Sequence, residues 1–237
     1  MKKIAIIVPA YNEDENISKL VKKILSFRKD VNIFIIDDSH KKTSETYILK
    51  NKKVFYFHRK KKLGRGSAVL YGLKKALKYN IHHIFIEMDA DFSHDPKELN
   101  SKISFFLKKN LDLLIASRYK KKSKIINWNL SRLFFSKMSN FLAQKLLKIP
   151  ASDYTNGFRF YSKRAALKIL KKCGKIGDGF IVLSEVLLAI HSSKFKIDEL
   201  DTIFVNRVRG ESSVNLKLIL NSFYGLIKLY FLRKSYE

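Results

Sequence analysis

The sequence predicts an α/β fold with a mainly parallel central sheet flanked by helices. Short runs rich in β-branched and aromatic residues alternate with segments whose apolar residues recur every three or four positions. Several of those runs end in carboxylates, at the place where open α/β sheets bind ligands. At 237 residues, 46% hydrophobic and 13% aromatic, the chain can bury one substantial core, and 9 Gly and 3 Pro argue against long linkers.

Ile4–Val8 reads as a first, buried strand. Ile17, Leu20, Val21, Ile24 and Leu25 mark the helix after it, with Asn12 and Glu15 spaced as a capping box. Val31–Ile36 is a second strand ending in Asp37 and Asp38, and Val54–Phe57 a third. A helix from about Ser67 to Tyr79 follows the Gly64-Arg65-Gly66 turn. Ile84–Glu87 is a fourth strand that runs into Met88-Asp89-Ala90-Asp91. Asp95, Pro96 and Glu98 fit the N-cap, first position and capping-box acid of a further helix, which makes His94 a turn residue rather than a ligand. Leu111–Ala116 is a fifth strand, Leu130–Leu147 a long helix, Phe158–Tyr161 a short strand, Asp178–Ile190 a helix and Ile203–Arg207 a last strand.

No internal repeat or low-complexity linker interrupts this pattern, so residues 1–212 form one domain. Residues 213–237 are expected as a C-terminal amphipathic helix. Apolar residues dominate Val214–Leu232, while Lys217, Asn221 and Lys228 fall on one narrow stripe. Such a helix lies in a bilayer interface, meets a membrane-protein partner or a second copy of the chain, or docks on its own core; the sequence leaves these open.

The formal net charge is +27, and it is unevenly placed. Eleven Lys/Arg and no acid lie between Glu45 and Glu87, and nine Lys/Arg and no acid between Asp112 and Asp153. Such blocks attract nucleic acid, phosphorylated substrates or an anionic membrane surface. Nucleic acid is the weaker reading, because no helix-turn-helix, RNP or KH pattern accompanies the charge. A single cysteine, Cys173, excludes an internal disulfide framework. The apolar run Ile4–Val8 stops at Pro9, too short for a signal sequence, and no stretch of about eighteen apolar residues is present. The expected location is therefore cytoplasmic, peripheral on the cytoplasmic face of the membrane.

Asp37, Asp38, Asp89 and Asp91 put four acids of an acid-poor chain at strand ends. Asp89 and Asp91, two apart, share one side of an extended chain and so face one hard cation. Mg2+ or Mn2+ held this way keeps positions open for the phosphate oxygens of a nucleotide diphosphate. Gly64 and Gly66 lack the spacing of a P-loop and indicate only a tight turn.

Taken together, Val8-Pro9-Ala10-Tyr11-Asn12-Glu13, Ile36-Asp37-Asp38-Ser39, Arg59 to Gly66 leading into Gly72, and Met88-Asp89-Ala90-Asp91-Phe92-Ser93-His94-Asp95-Pro96 resemble the inverting family-two glycosyltransferases of GT-A fold, a Rossmann-like arrangement. Ser117-Arg118-Tyr119, Trp128 with Arg132, Asp153 to Arg159, Gly179-Phe180 with Glu185, and Arg207 to Ser212 narrow the resemblance to the dolichol-phosphate (polyprenyl-phosphate) mannose synthases. It covers nearly the whole chain.

The resemblance implies metal-dependent transfer of a hexose, of the mannose or glucose class, from GDP-mannose or a UDP-sugar to a polyprenyl (dolichyl or undecaprenyl) monophosphate. It implies that Pro9, Tyr11, Glu13, Ile36 and Asp38 line the nucleotide pocket. Asp89, Ala90 and Asp91 would bind metal and pyrophosphate, with Ser93 where a Gln often completes the metal shell. Arg118, Arg132 and Arg207 would gather the diphosphate and the acceptor phosphate, with Asp91, Arg118 and Arg132 closest to the chemistry. Three features depart from the pattern: Ser39-His40-Lys41-Lys42-Thr43 replaces a Pro-Asp-Gly loop, Ser213 stands where a phosphate-binding Lys is usual, and the transmembrane helices of some relatives are missing. Arg209 or Lys217 would have to substitute for that Lys. Relatives that glycosylate hydroxyls commonly carry Glu-Asp where this chain has Glu185-Val186, which favours a phosphate acceptor. Glu185 is left to orient the acceptor or an Arg, or to serve as a buried helix acid paired with a basic residue. The alternatives are a glycosyltransferase acting on a hydroxyl in surface-glycan synthesis, a non-catalytic relative, and a basic nucleic-acid-binding protein.

Overall fold

Strands apolar on both faces must be covered on both sides. The computed structural model, which describes residues 3–43, 46–206 and 216–236, shows what covers them. The strands are β1 (Lys3–Ala10), β2 (Val31–Asp37), β3 (Val54–His58), β4 (His82–Glu87), β5 (Leu113–Ser117), β6 (Lys124–Ile126), β7 (Arg159–Ser162), β8 (Ile197–Asp201) and β9 (Ile203–Val205). Seven of them form one sheet in the order β3-β2-β1-β4-β7-β5-β8, parallel except for β7, which runs antiparallel to both β4 and β5. The pair β6-β9 forms a separate parallel ribbon.

The helices are α1 (Asp14–Phe27), α2 (Thr46–Lys50), α3 (Arg65–Lys78), α4 (Glu98–Lys108), α5 (Leu130–Leu147), α6 (Lys163–Lys172), α7 (Ile181–Ser192) and α8 (Leu216–Leu232), followed by a 3-10 turn at Arg233–Tyr236. The period-two geometry of β1 divides its side chains between two cores. Ile4, Ile6 and Val8 pack with Ile17, Leu20, Val21 and Ile24 of α1 and with Leu99 and Ile103 of α4. Ala5 and Ile7 pack on the other face, against α3, α6 and α7. Leu20 is wholly buried, so truncating it to Ala would cost about 2–5 kcal/mol.

Three local expectations are corrected. The capping box at Asn12 and Glu15 does not form: Asn12 has φ 56°, the helix starts after Glu13, and Glu13 Oε2 instead accepts from Asn16 Nδ2 at 2.6 Å. The acid of the second expected box, Glu98, does not turn back on its own helix. It accepts from Thr202 Oγ1 (2.6 Å) and Ile203 N (3.0 Å) and pairs with Lys102 Nζ (2.6 Å), tying α4 to the junction between β8 and β9. The last strand ends at Val205; Arg207 lies outside the described residues.

Part of α8 belongs to the core. Leu226 and Leu229 are buried with residues of α5 and α7, and Tyr236 is buried beyond them. Asn221 and Lys228 are exposed, as are Tyr224 (70%) and Phe231 (75%). The side chain of Lys217 and the expected boundary between 212 and 213 lie outside the described residues. Among the described residues no helix is long and apolar enough to cross a membrane.

Candidate functional site

The strand order reverses between β1 and β4: the chain steps outward from β1 to β2 and β3, then returns to β4 on the far side of β1. That switch point opens a crevice at the carboxyl ends of the strands. Pro9 and Ile36 are buried in β1 and β2 and Ala90 lies buried beyond β4, so these three form wall. Tyr11 and Glu13 are half-buried at the rim, with Lys62 Nζ 4.4 Å from the Tyr11 ring centre. Asn12 N donates to Ser39 Oγ at 2.7 Å, joining the loops after β1 and β2. Beside them lies a cleft of about 580 Å³ lined by residues 12–16 and 39–41, among them the acids Glu13, Asp14 and Glu15 and the basic Lys41, within the size range of small-ligand sites.

The acids after β2 have internal partners. Asp37 is fully buried and accepts from Ser39 N (2.9 Å), Ser39 Oγ (2.5 Å) and the Tyr56 hydroxyl (2.5 Å). Burial and this carboxylate push the Tyr56 phenol well above its ordinary value. Asp38 receives Arg59 on both oxygens (Nε 2.5 Å, Nη2 2.8 Å) and also Leu63 N (2.9 Å). The resemblance gives Asp38 to the nucleotide; here its carboxylate pins the loop that runs from Arg59 to Gly64.

After β4 the chain is not extended, contrary to the expectation for Asp89 and Asp91. The backbone leaves the strand at Glu87 and turns, with Phe92 at φ 60°. Asp91 Oδ1 accepts from Ser93 N at 3.0 Å, while Asp89 Oδ1 accepts twice from Arg65, from Nε at 2.9 Å and Nη2 at 2.6 Å. The two carboxylates nevertheless act on one buried ring, that of His94.

His94, expected as a simple turn residue, is completely buried between the rings of Phe158 and Phe204. Its Nε2 lies 3.8 Å from Asp89 Oδ2, and neither ring nitrogen has a hydrogen-bond partner. Burial pushes the imidazole down to about 4, against the opposing pull of Asp89 and Asp91, so it is neutral at pH 7. Ser93 Oγ is likewise buried without a partner. Two carboxylates beside a partnerless hydroxyl and imidazole make a donor set that fits a cation of the Mg2+ or Mn2+ class. Among the described residues no group of three or more His, Cys, Asp or Glu side chains is arranged so that it could hold a metal ion by itself, so oxygens of a bound ligand would have to complete the shell.

The arginines differ from one another. Arg118 is only 8% exposed and its Nε and Nη2 are committed to Asp153 (2.8 and 2.7 Å), with Nη2 also on Thr155 Oγ1 (2.6 Å). The Trp128, Tyr119 and Phe204 rings surround it, with centres 5.4 to 5.5 Å from the guanidinium. Two of its three guanidinium nitrogens, Nε and Nη2, are thus engaged by Asp153 and Thr155. Arg132 is half-buried, lies 4.3 Å over the Trp128 ring and donates to Asn206 Oδ1 at 2.6 Å. Arg207 and Arg209 lie outside the described residues. Glu185 is fully buried and accepts from Gly174 N (2.8 Å), Lys175 N (3.2 Å) and the Tyr236 hydroxyl (2.6 Å).

Sequence reasoning missed Arg65 and Glu87. The available signal was a basic residue between two glycines, in a chain whose acids sit at strand ends.

A doubly wound sheet with carboxylates and a cleft at its strand ends defines a class, the α/β proteins that bind ligands at the carboxyl ends of their strands. Residues 5–170 match Glycosyl transferase family 2, and the chain belongs to that family: it is a glycosyltransferase enzyme of GT-A fold. It is 29% identical over 215 residues to a polyprenol monophosphomannose synthase of Mycolicibacterium smegmatis, covering 89% of this chain and 80% of the relative. It is 33% identical over 236 residues to a dolichol-phosphate mannosyltransferase of Pyrococcus furiosus, covering 95% of this chain but only 64% of that protein. Among solved structures, glucosyl-3-phosphoglycerate synthase from Mycobacterium tuberculosis, in complex with Mn2+, UDP-glucose and phosphoglyceric acid, shares the fold at TM-score 0.66 and 16% identity, over 97% of this chain and 80% of that one.

Proposed function

We propose that this enzyme transfers a hexose from a nucleotide-diphosphate sugar to a polyprenyl monophosphate. The names of the mycobacterial and Pyrococcus relatives support the acceptor class and the mannose assignment. The donor lies along the loops after β1 and β2, between Tyr11 and Glu13, with its diphosphate toward Asp89 and Asp91. Mg2+ or Mn2+ on those two carboxylates, with Ser93 beside them, would stabilise the charge that develops on the leaving diphosphate.

The observation that carries the acceptor assignment is the placement of Glu185. A hydroxyl acceptor needs a base to take its proton. The α7 carboxylate is spent on two backbone N–H groups and Tyr236, and its neighbour is the buried Val186. A phosphate monoester, with its second pKa near ~6, is largely dianionic at pH 7 and is already a nucleophile. It needs orientation, which a planar guanidinium provides. In this reading Arg132, which lies over the Trp128 ring, orients the acceptor phosphate, and Arg118, paired with Asp153, packs against the same ring. By the resemblance, Arg207 assists at the diphosphate and Arg209 at the acceptor phosphate. Attack opposite the leaving diphosphate inverts the anomeric centre.

The same reading seats the enzyme on the anionic cytoplasmic face of a membrane. Leu130 (84% exposed), Phe134 (63%) and Phe141 (55%), with Met138, form one outward face of α5, near the basic run Lys120–Lys122 and Lys124. Apolar side chains flanked by lysines suit the interface of an anionic bilayer. Flotation should carry the protein up with anionic vesicles at low salt and leave it at the bottom with neutral ones; retention by neither defeats this placement.

The transfer is tested by supplying labelled GDP-mannose or UDP-glucose with Mn2+ and, separately, a polyprenyl phosphate, the corresponding free polyprenol and a glycan. Label should enter the phosphate alone. Label on the alcohol or the glycan would establish the hydroxyl-acceptor alternative.

A further inference from the structure

Resting on the donor-site reading above, we propose that Arg65 is a resident counter-ion that keeps the Asp89–Asp91 site from holding a divalent cation alone, so that the metal enters together with the donor diphosphate. Arg65 opens α3, directly after Gly64, whose φ of 94° lets the chain turn sharply into the helix. Its guanidinium spans the two acids at the end of β4. Nη1 donates to Glu87 Oε1 at 2.5 Å, and Nε and Nη2 both donate to Asp89 Oδ1.

The seat is built. Glu87 is 1% exposed, and its other oxygen accepts from the Tyr161 hydroxyl at 2.7 Å. The Phe180 ring lies 5.7 Å from the guanidinium, and a side chain at Gly157 would overlap it. One oxygen of Asp89 is thereby occupied by two N–H groups, and Oδ2 is the oxygen nearer His94.

The electrostatic consequence has a definite sign. A divalent cation on Asp89 must share that carboxylate with a cation already in contact with it, in a partly buried setting where like charges repel strongly. A bound diphosphate changes the balance, because metal and guanidinium then both face added negative charge. Metal and nucleotide binding are therefore coupled, and each raises the affinity of the other by the same factor.

The test is a Mn2+ titration of the full chain, read from the electron paramagnetic resonance signal of free Mn2+, with and without GDP or UDP. Wild type should bind Mn2+ weakly alone and far more tightly with nucleotide. Arg65→Met should bind Mn2+ alone about tenfold more tightly, the usual scale of outer-shell effects on metal affinity. Its dependence on nucleotide should shrink to match. Arg65→Lys, which retains the counter-ion, should stay close to wild type. If Arg65→Met fails to fold around the unpaired Glu87, the double variant Arg65→Met/Glu87→Gln keeps the Tyr161 contact, removes the stranded charge and should still bind Mn2+ more tightly than wild type. Unchanged or weakened Mn2+ affinity on losing Arg65, with nucleotide binding intact, overturns the role of Arg65 alone. Failure of GDP and UDP to bind in wild type and every variant overturns the donor-site reading and the coupling with it.

Discussion

Arg118 and Arg132 flank the same indole, yet replacing each by methionine should have opposite consequences. Arg118→Met removes the charge partner of Asp153, which is fully buried and then keeps only backbone donors, the N–H groups of residue 118, Thr155 and Asn156. Removing one partner of a buried pair costs about 3–5 kcal/mol. At about 2–4 °C per kcal/mol for a domain of this size, Tm should fall by roughly 10 °C. The effect should also depend on pH in a defined direction. Burial raises the Asp153 carboxyl, but the Arg118 charge and hydrogen bonds outweigh it and hold it below the ordinary carboxylate range. A depressed native pKa contributes stability that is complete above the unfolded value near ~4 and disappears as pH falls through the native one. Without the Arg118 charge only backbone N–H groups oppose the effect of burial, so the Asp153 carboxyl should rise and the gap between variant and wild type should narrow in melts near pH 4. Arg132→Met, at a half-buried site, should leave Tm within about 2 °C, as substitutions outside the core do, and should lose transfer to the lipid phosphate. An Arg118→Met protein that melts like wild type at pH 7 but has lost turnover would refute the structural role of Arg118 and make it an acceptor-binding cation.

Asp91→Asn keeps an oxygen for Ser93 N but removes the charge. Its Tm without ligand should match wild type, while the rise produced by GDP or UDP with Mn2+, a measure of binding to the native state, should vanish. Tyr236→Phe removes one donor from the buried Glu185 and should lower the urea midpoint by an amount equivalent to about 1–3 kcal/mol, with Mn2+ and nucleotide affinities unchanged. Altered nucleotide affinity in that variant would mean that Glu185 communicates with the crevice.

The central strands were legible because a parallel strand buried on both faces is written as an unbroken apolar run, as in Ile4–Val8 and Val31–Ile36. Other elements lacked that signature. β8 reads Ile197-Asp198-Glu199-Leu200-Asp201 and is half-buried at the sheet edge, where its acids are useful: Glu199 caps Ser152 and Asp153. α6 went unread although Ser162 caps it and Ala165, Ala166 and Ile169 line its buried face. α5 was read with its observed bounds, but not its outward face; the signal was apolar residues on more sides of the helix than a core can cover.

At the site, positions were legible and pairings were not. Strand-end acids follow from topology, whereas the partnerships Asp38–Arg59, Asp89–Arg65 and Asp153–Arg118 join residues between 21 and 35 positions apart. They depend on how loops approach one another, which hydrophobic periodicity does not encode.

The insertion of β7 between β4 and β5 bears on how the chain is made. A ribosome-bound segment ending near residue 120 has synthesised every strand through β5, but β4 and β5 each still lack the neighbour that arrives with Arg159–Ser162. Both would display unpaired backbone along apolar edges, a template for aggregation. The portion bearing Asp89 and Asp91 is therefore not a self-sufficient fragment, and cutting the gene after β5 should yield inclusion bodies rather than a soluble donor-binding half.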